Sequence, residues 1–414
     1  MSADSIPAEA EAVEQYPDVF LSRQPVVDDQ LRVTGYRVFY ATPADVESSA
    51  ASEDRLATQL FGDVLSVVGL QELVGARLAH LPVSRELLET LGVPPVRPDR
   101  VMLRVSYETA VDRELLPLLE GLANRGYALA LHDLPGPDFD VRLLDLFGTV
   151  EVDFSAWEWP ECVSAGETVL SHWATPLAAG LREHEDFERA KEIGYRLFTG
   201  PFFASPRSSA VPKVPVSGVG SLVSLARLQG RSANIEDLVE VIDHDVGLSV
   251  KLLRYINSAS FGMRSKITSI KQAVMMLGAR GVSRWALMVA LTGGPSTPRE
   301  LSVMALTRAR MCEILGMGHA DLGADELFTI GLLSYADALL DRPLETIITE
   351  LPLADEISSA LLQRVGPAGS ILEAVVAYEL ANFTAESVQA HRAAVAMAYM
   401  DALRWAQETL AEFA

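Results

Sequence analysis

The sequence predicts two domains of different class: an α/β barrel of the (β/α) type in the first half and an all-α domain in the second. Three observations carry this reading. Short β-type runs alternate with helical patterns as far as about residue 205. A Pro-, Ser- and Gly-rich segment, SPRSSAVPKVPVSG at 205–218, then interrupts both periodicities. Beyond it the pattern is helical almost throughout. Alternation of strands and helices argues for βαβ units and a parallel sheet, and at least six such repeats within 200 residues suit a compact barrel.

The elements follow in order. Residues 1–17 are polar and acidic and read as a mobile N-terminus. The domain assigned to 18–206 opens with FLSRQPVV and RVTGYRVFY. It continues through RLAHLPV, RVMLRVS, YALALHD, TVEVDF and ATPLAA. Helical stretches between them include DRLATQLFGDVLSVV, TAVDRELLPLLEGLANR and EDFERAKEIG. The domain assigned to 207–414 contains NIEDLVEVIDHD, with Asn234 as N-cap and acids in its first turn. SIKQAVMMLG follows, ending at Gly278 as a C′ glycine. A long closing helix spans about 385–412.

Composition bounds the function. The chain has 414 residues, 22% of them charged, and only two cysteines, Cys162 and Cys312, in no CxxC pair. A disulfide framework or zinc ribbon is not indicated, and a reducing cytoplasm fits. The longest stretch free of Asp, Glu, Lys and Arg has 14 residues, short of the roughly 20 that span a bilayer. The net charge of −22 is uneven: residues 1–206 hold 16 Lys and Arg against 34 Asp and Glu. Such a field opposes nucleic acid and anionic membranes at long range. No phosphate-binding glycine loop, HExxH or GxSxG motif is present.

Two sets of motifs carry a resemblance. QPVVD (24–28), GYRVFYA (35–41) and GYRLFTGPFFASP (194–206) are similar to the opening and closing strands of EAL domains, TIM-like barrels that hydrolyse cyclic di-GMP with two metal ions. In that family a carboxylate cluster holds the metals, since Mg²⁺ and Mn²⁺ favour oxygen ligands. Matched residue by residue, the resemblance implies mostly losses. Arg37 stands for the first glutamate, Pro82 for the asparagine ligand, Arg104 for the next glutamate and His132 for the first of two aspartates. Glu151 stands for a lysine, Ala179 and Arg182 for later glutamates, and Thr199 for a glutamine. Ala41 replaces the arginine that contacts ligand. Two acids remain, Asp133 and Asp153, and their expected role is to pair with the new arginines rather than with metal.

LLRYINSASF (252–261), SIKQAVMMLG (269–278) and Trp285 resemble the HDOD domain, a helical relative of the HD phosphohydrolases without their metal ligands. GLL at 331–333, which precedes the HD dipeptide in hydrolases, is followed here by Ser334 and Tyr335. The His244-Asp245 pair reads as a helix end, and His319 and His391 stand alone in sequence. No cofactor is implied. From Val246 to Pro298 there is no acid, while Lys251, Arg254, Arg264, Lys266, Lys271, Arg280 and Arg284 form a basic island. It is a candidate surface for an acidic partner, against the alternative that these residues cap helices or lie over core residues.

The resemblance therefore implies a degenerate EAL–HDOD fusion. Its expected role is a non-catalytic cytoplasmic signalling or scaffold protein of bacteria, working through protein contacts in cyclic di-GMP-linked motility, pilus or surface behaviour. The alternatives are a cyclic di-GMP receptor without hydrolysis and an active phosphodiesterase.

Overall fold

The computed structural model describes residues 19–42, 60–61, 69–206, 246–257, 266–292, 297–317, 319, 323–351 and 353–413. The chain divides into two compact units. The first comprises Met1–Arg182, Asp186–Gly200 and Glu379–Thr384, the second Glu183–Glu185, Pro201–Tyr378 and Ala385–Ala414.

In the first unit eight strands close into a barrel in sequence order: β1 (Phe20–Asp28), β2 (Val33–Ala41), β3 (Leu78–Val83), β4 (Val101–Ser106), β5 (Ala128–His132), β6 (Thr149–Asp153), β7 (Thr175–Ala179) and β8 (Leu197–Thr199). From β2 to β8 neighbouring strands are parallel. β1 is the exception and runs antiparallel to both β2 and β8, which corrects the all-parallel expectation. The cause is local. Only residues 29–32 separate β1 from β2, whereas a parallel crossover needs a dozen or more. The Asp28 carboxylate fixes this turn by accepting from the backbone N–H groups of Gln30 and Arg32, both at 2.9 Å. Leu31 supplies the left-handed residue, with φ 58°.

Helices join the parallel strands, and their ends follow from short-range chemistry. Ser84 caps Arg85–Leu91, its hydroxyl accepting from the Leu87 N–H at 3.0 Å. The EWPE run starts Trp159–Ser171 with a reciprocal capping box between Glu158 and Glu161 and a proline in the first turn. The helix expected over 109–125 is divided into Tyr107–Ala110 and Leu116–Asn124. The Asp112 carboxylate accepts from the Glu114 N–H and holds a turn between the two. The helical stretch at 54–68 lies outside the described residues apart from Leu60 and Phe61, both buried.

The second unit is helical. Arg299–Gly316 packs against Ala324–Leu333 and Arg392–Phe413. A close backbone approach uses Gly331: a β-carbon there would lie 2.6 Å from the Ala309 α-carbon and 2.8 Å from the Arg308 carbonyl. Gly278, at φ 69°, interrupts Ile270–Thr292, in keeping with its reading as the end of SIKQAVMMLG. The closing helix is two segments, Glu386–Ala390 and Arg392–Phe413, separated at His391. The segment 234–245, with the His244-Asp245 pair, lies outside the described residues. Among the described residues no single helix is long and apolar enough to cross a membrane.

Gly331→Ala is expected to lower stability by about 1–3 kcal/mol, because backbone rather than a flexible side chain must move. Urea unfolding followed by circular dichroism checks this, and an unchanged transition would show that the two helices can separate freely.

Candidate functional site

Strands β2, β4 and β6 each send one charged side chain into the barrel: Arg37, Arg104 and Glu151. In a closed (β/α) barrel, alternate strands fill one interior layer, ordinarily with branched aliphatic residues. Here that layer is ionic. Arg104 donates to Glu151 through Nε at 3.1 Å and Nη2 at 3.3 Å, a two-point contact with both side chains under 10% exposed. Arg37 Nη1 lies 3.1 Å from Glu151 Oε1 and remains 17% exposed. Burial opposes the Glu151 charge, but Arg104, Arg37 and His132 outweigh it and hold the carboxyl down at about 2.

Two histidines complete the surroundings. His80 pairs with Arg37 in the β2–β3 register and is buried. Gly35 makes room for its ring, since a β-carbon there would lie 2.7 Å from His80 Nε2. Burial and the nearby Arg104 and Arg37 push the His80 imidazole down to about 4, against the pull of Glu151. His132, also buried, has Nδ1 2.9 Å from Asp133 Oδ2, off the line of a good hydrogen bond. Asp133 itself is more than half exposed and has a left-handed backbone, φ 54°. His132 and Arg104 hold its carboxyl below the usual range despite partial burial.

The expected pairing is therefore corrected. The carboxylate that engages both arginines is Glu151, counted in sequence as a lost lysine. Asp153 is exposed and serves a turn, accepting from Ser155 N–H at 2.8 Å and Ser155 Oγ at 2.6 Å. His80 was missed. The signal for it was the alternation in LAHLPV, which puts His80 on the same face as Pro82. Thr199 is fully buried and closes the barrel, donating to Pro25 O at 2.9 Å and Gln24 Oε1 at 3.2 Å. Ala41 and Ala179 are buried, Pro82 is half-buried and Arg182 is exposed.

In the second unit an arginine lies against Ser334 and Tyr335. Arg308 Nη1 donates to Ser334 Oγ at 3.0 Å, and its guanidinium lies 3.8 Å from the Tyr335 ring centroid. Among the described residues no group of three His, Cys, Asp or Glu side chains is placed to hold a metal ion. His319 is exposed, and with burial it depresses the pKa of half-buried His391, so these two are not electrostatically isolated.

The basic island separates into parts. Arg284 leaves the candidate surface. It donates to Glu313 Oε2 at 2.8 Å, lies 3.7 Å from Asp325 and stacks 3.6 Å over Phe328. Nothing in the sequence around Arg284 announces Glu313, which comes from the next helix. Arg254, Lys266, Lys271 and Arg280 are exposed, Lys251 is half-buried, and Arg264 lies outside the described residues. The same stretch of sequence carries two exposed methionines, Met275 and Met276.

Known proteins share these parts. Residues 221–338 match the HDOD domain. A Bacillus subtilis protein described as uncharacterized, YuxH, is 26% identical over 94% of this chain and 98% of its own length. The chain thus has a closed eight-stranded barrel followed by a helical region that matches the HDOD domain. A Vibrio cholerae relative named cyclic di-GMP phosphodiesterase CdgJ is 25% identical over 94% of this chain and 92% of its own. Among solved structures, Klebsiella pneumoniae BlrP1 with manganese and cyclic di-GMP gives a TM-score of 0.37 at 19% identity, covering 45% of this chain and 55% of that one. A standalone EAL protein of Vibrio cholerae with cyclic di-GMP gives 0.35 at 19% identity, over 48% and 96%.

Two outcomes are expected from the charged layer of the barrel. Glu151→Lys should destabilise the barrel by about 3–5 kcal/mol or more, because buried Arg104 and half-buried Arg37 lose their counter-charge. Combining it with Arg37→Glu and Arg104→Glu should recover most of that loss. Denaturant unfolding of the single and triple variants measures this, and strict additivity would refute the coupling.

Acid should also weaken the fold in two windows. The His80 pKa falls from 6.5 to about 4 on folding, so stability is lost as pH drops from about 6.5 to about 4. The Glu151 value falls from 4.5 to about 2, so a further loss runs from about 4.5 to about 2. His80→Phe should flatten the first window, worth on the order of 3 kcal/mol. An unaltered pH–stability curve would contradict the buried neutral imidazole.

Proposed function

We propose that this chain does not hydrolyse cyclic di-GMP, and that it acts as a cytoplasmic signalling or scaffold protein in a cyclic di-GMP-related pathway. The observation that carries this reading is the Arg37–Glu151–Arg104 cluster. Metal-assisted phosphodiester cleavage needs converging carboxylates to bind the ions and to lower the pKa of an attacking water. At ~5 Å and an effective dielectric of 20, each guanidinium repels a dication by about 7 kcal/mol. Glu151 offsets only one of the two. Both guanidiniums already meet a carboxylate without metal, whereas a carboxylate cage gains its stability from the ion it holds. The relatives support the pathway, since one of the near-full-length matches bears the name of a cyclic di-GMP phosphodiesterase.

What remains for the chain is contact with other proteins. The exposed Lys266, Lys271 and Arg280, with exposed Met275 and Met276 between them in sequence, offer cations and apolar surface. Methionine surfaces adapt to varied partners, and complementary charge speeds encounter. The alternative is a receptor that binds cyclic di-GMP without cleaving it. The partial exposure of Arg37 favours that alternative, because a guanidinium can meet a phosphate.

Incubation with cyclic di-GMP and Mg²⁺ or Mn²⁺ should give no linear product above background, and calorimetry should show no micromolar complex. Turnover that disappears on Asp133→Ala would overturn the reading. Tight binding without turnover, lost on Arg37→Ala, would establish the receptor instead.

A further inference from the structure

Because β1 runs antiparallel, its first residue lies at the C-terminal end of the parallel strands: Phe20 pairs with Ala41, the last residue of β2. That end is where (β/α) barrels carry their sites. Directly opposed residues share a face of the sheet, and the period along each strand is two. Gln24 opposes Arg37, which points into the barrel, so Phe20 and Ser22 on β1 and Phe39 and Ala41 on β2 share that inner face between Arg37 and the rim. The Arg37 guanidinium lies 5.3 Å from the Phe39 ring centroid, at the foot of this column.

A residue from far along the chain covers the top of the column. Phe383 stacks on Phe20, with ring centroids 5.5 Å apart and planes 23° from parallel, and is itself buried. It belongs to Glu379–Thr384, a short segment of the barrel unit, although Tyr378 before it and Ala385 after it belong to the helical unit. The segment begins where the helix Gly366–Glu379 stops, and just beyond that stop Ala381 takes a left-handed backbone, φ 58°, without being glycine. Such a conformation persists where surrounding contacts hold it. Leu380 is 52% exposed, and Asn382 and Thr384 are exposed too, so burial in the segment is concentrated in Phe383. A segment held by one buried ring and tethered at both ends can leave without unfolding the barrel.

We propose that Glu379–Thr384 is a strap that closes the β1–β2 side of the barrel mouth with Phe383 as its latch, and that it releases as a local event governed by the helices that tether it. Release clears the inner face above Arg37, the more exposed of the two arginines in the charged layer. A ligand that enters the mouth and a partner that moves the tethering helices then influence each other's affinity through the strap. The proposal holds whether or not the barrel binds a nucleotide.

Ala41→Cys in the full chain supplies the probe, a thiol on the inner face beside Phe20. Cys162 and Cys312 are both buried, and burial together with Glu161 and Asp153 pushes the Cys162 thiol up to about 12, so the native thiols stay silent toward dithionitrobenzoate. With the strap intact, the labelling rate of the probe should stay flat as urea rises below the unfolding transition, because release exposes little surface. Phe383→Ala should speed labelling about tenfold or more, whereas Leu380→Ala on the same strap should leave it unchanged. Hydrogen exchange of the Phe383→Ala chain should show residues 38–41 and the helix Gly366–Glu379 losing protection together, with β5 and β6 keeping theirs. A labelling rate that Phe383→Ala leaves unchanged would show that nothing latches there and overturn the proposal. So would labelling that tracks global unfolding in urea, which makes Phe383 an ordinary core residue and needs no strap variant to fold. Loss of protection confined to residues 38–41 would remove the control by the tethering helices and overturn it equally.

Discussion

A carboxylate buried between two guanidiniums organises the interior of the barrel. Glu151 on β6 meets Arg104 at two points and Arg37 at one. All three side chains lie where apolar residues would normally fill the layer. Removing charge from water is expensive, and the arrangement is tolerable only because each charge meets its complement at short range. His80 fits beside the cluster as a neutral ring, and Gly35 leaves space for it. These residues act together, since any one of them changed alone leaves the others with an unmatched charge or an unfilled place.

The same device recurs in the HDOD half. Arg308 lies against Ser334 and Tyr335, where the resemblance to HD hydrolases places a metal-binding dipeptide. Arg284 is held by Glu313 and stacked on Phe328. Arginine suits such positions because it stays charged at any ordinary pH, donates in a planar fork and stacks on rings. A fixed organic cation gives a site its electrostatic balance without the open coordination positions that metal catalysis requires.

Much of this was legible in the sequence. Seven of the eight strands read as short β-type runs, the eighth rested on the resemblance of GYRLFTGPFFASP to a closing strand, and the helical half follows from its helical patterning and from Gly278. The orientation of β1 was also readable, because a four-residue connection cannot carry a parallel crossover, yet the alternation of elements drew attention away from it. The substitutions Arg37 and Arg104 were visible as losses of carboxylate. Their partner was not: Glu151 reads as a missing lysine until β6 is placed opposite β2 and β4, and only then does the change become an exchange of sign across the barrel. Arg284 shows the same limit, since its partner Glu313 lies on another helix and no spacing rule links them.

The ionic layer should exclude a metal ion from the barrel. Titration of the chain with Mn²⁺, followed by electron paramagnetic resonance of the free ion, measures this directly. The free Mn²⁺ signal should grow in proportion to added metal, with no site occupied in the wild-type chain. Stoichiometric loss of the free signal, reversed by Asp133→Ala, would place a metal beside Arg37 and Arg104 and contradict it.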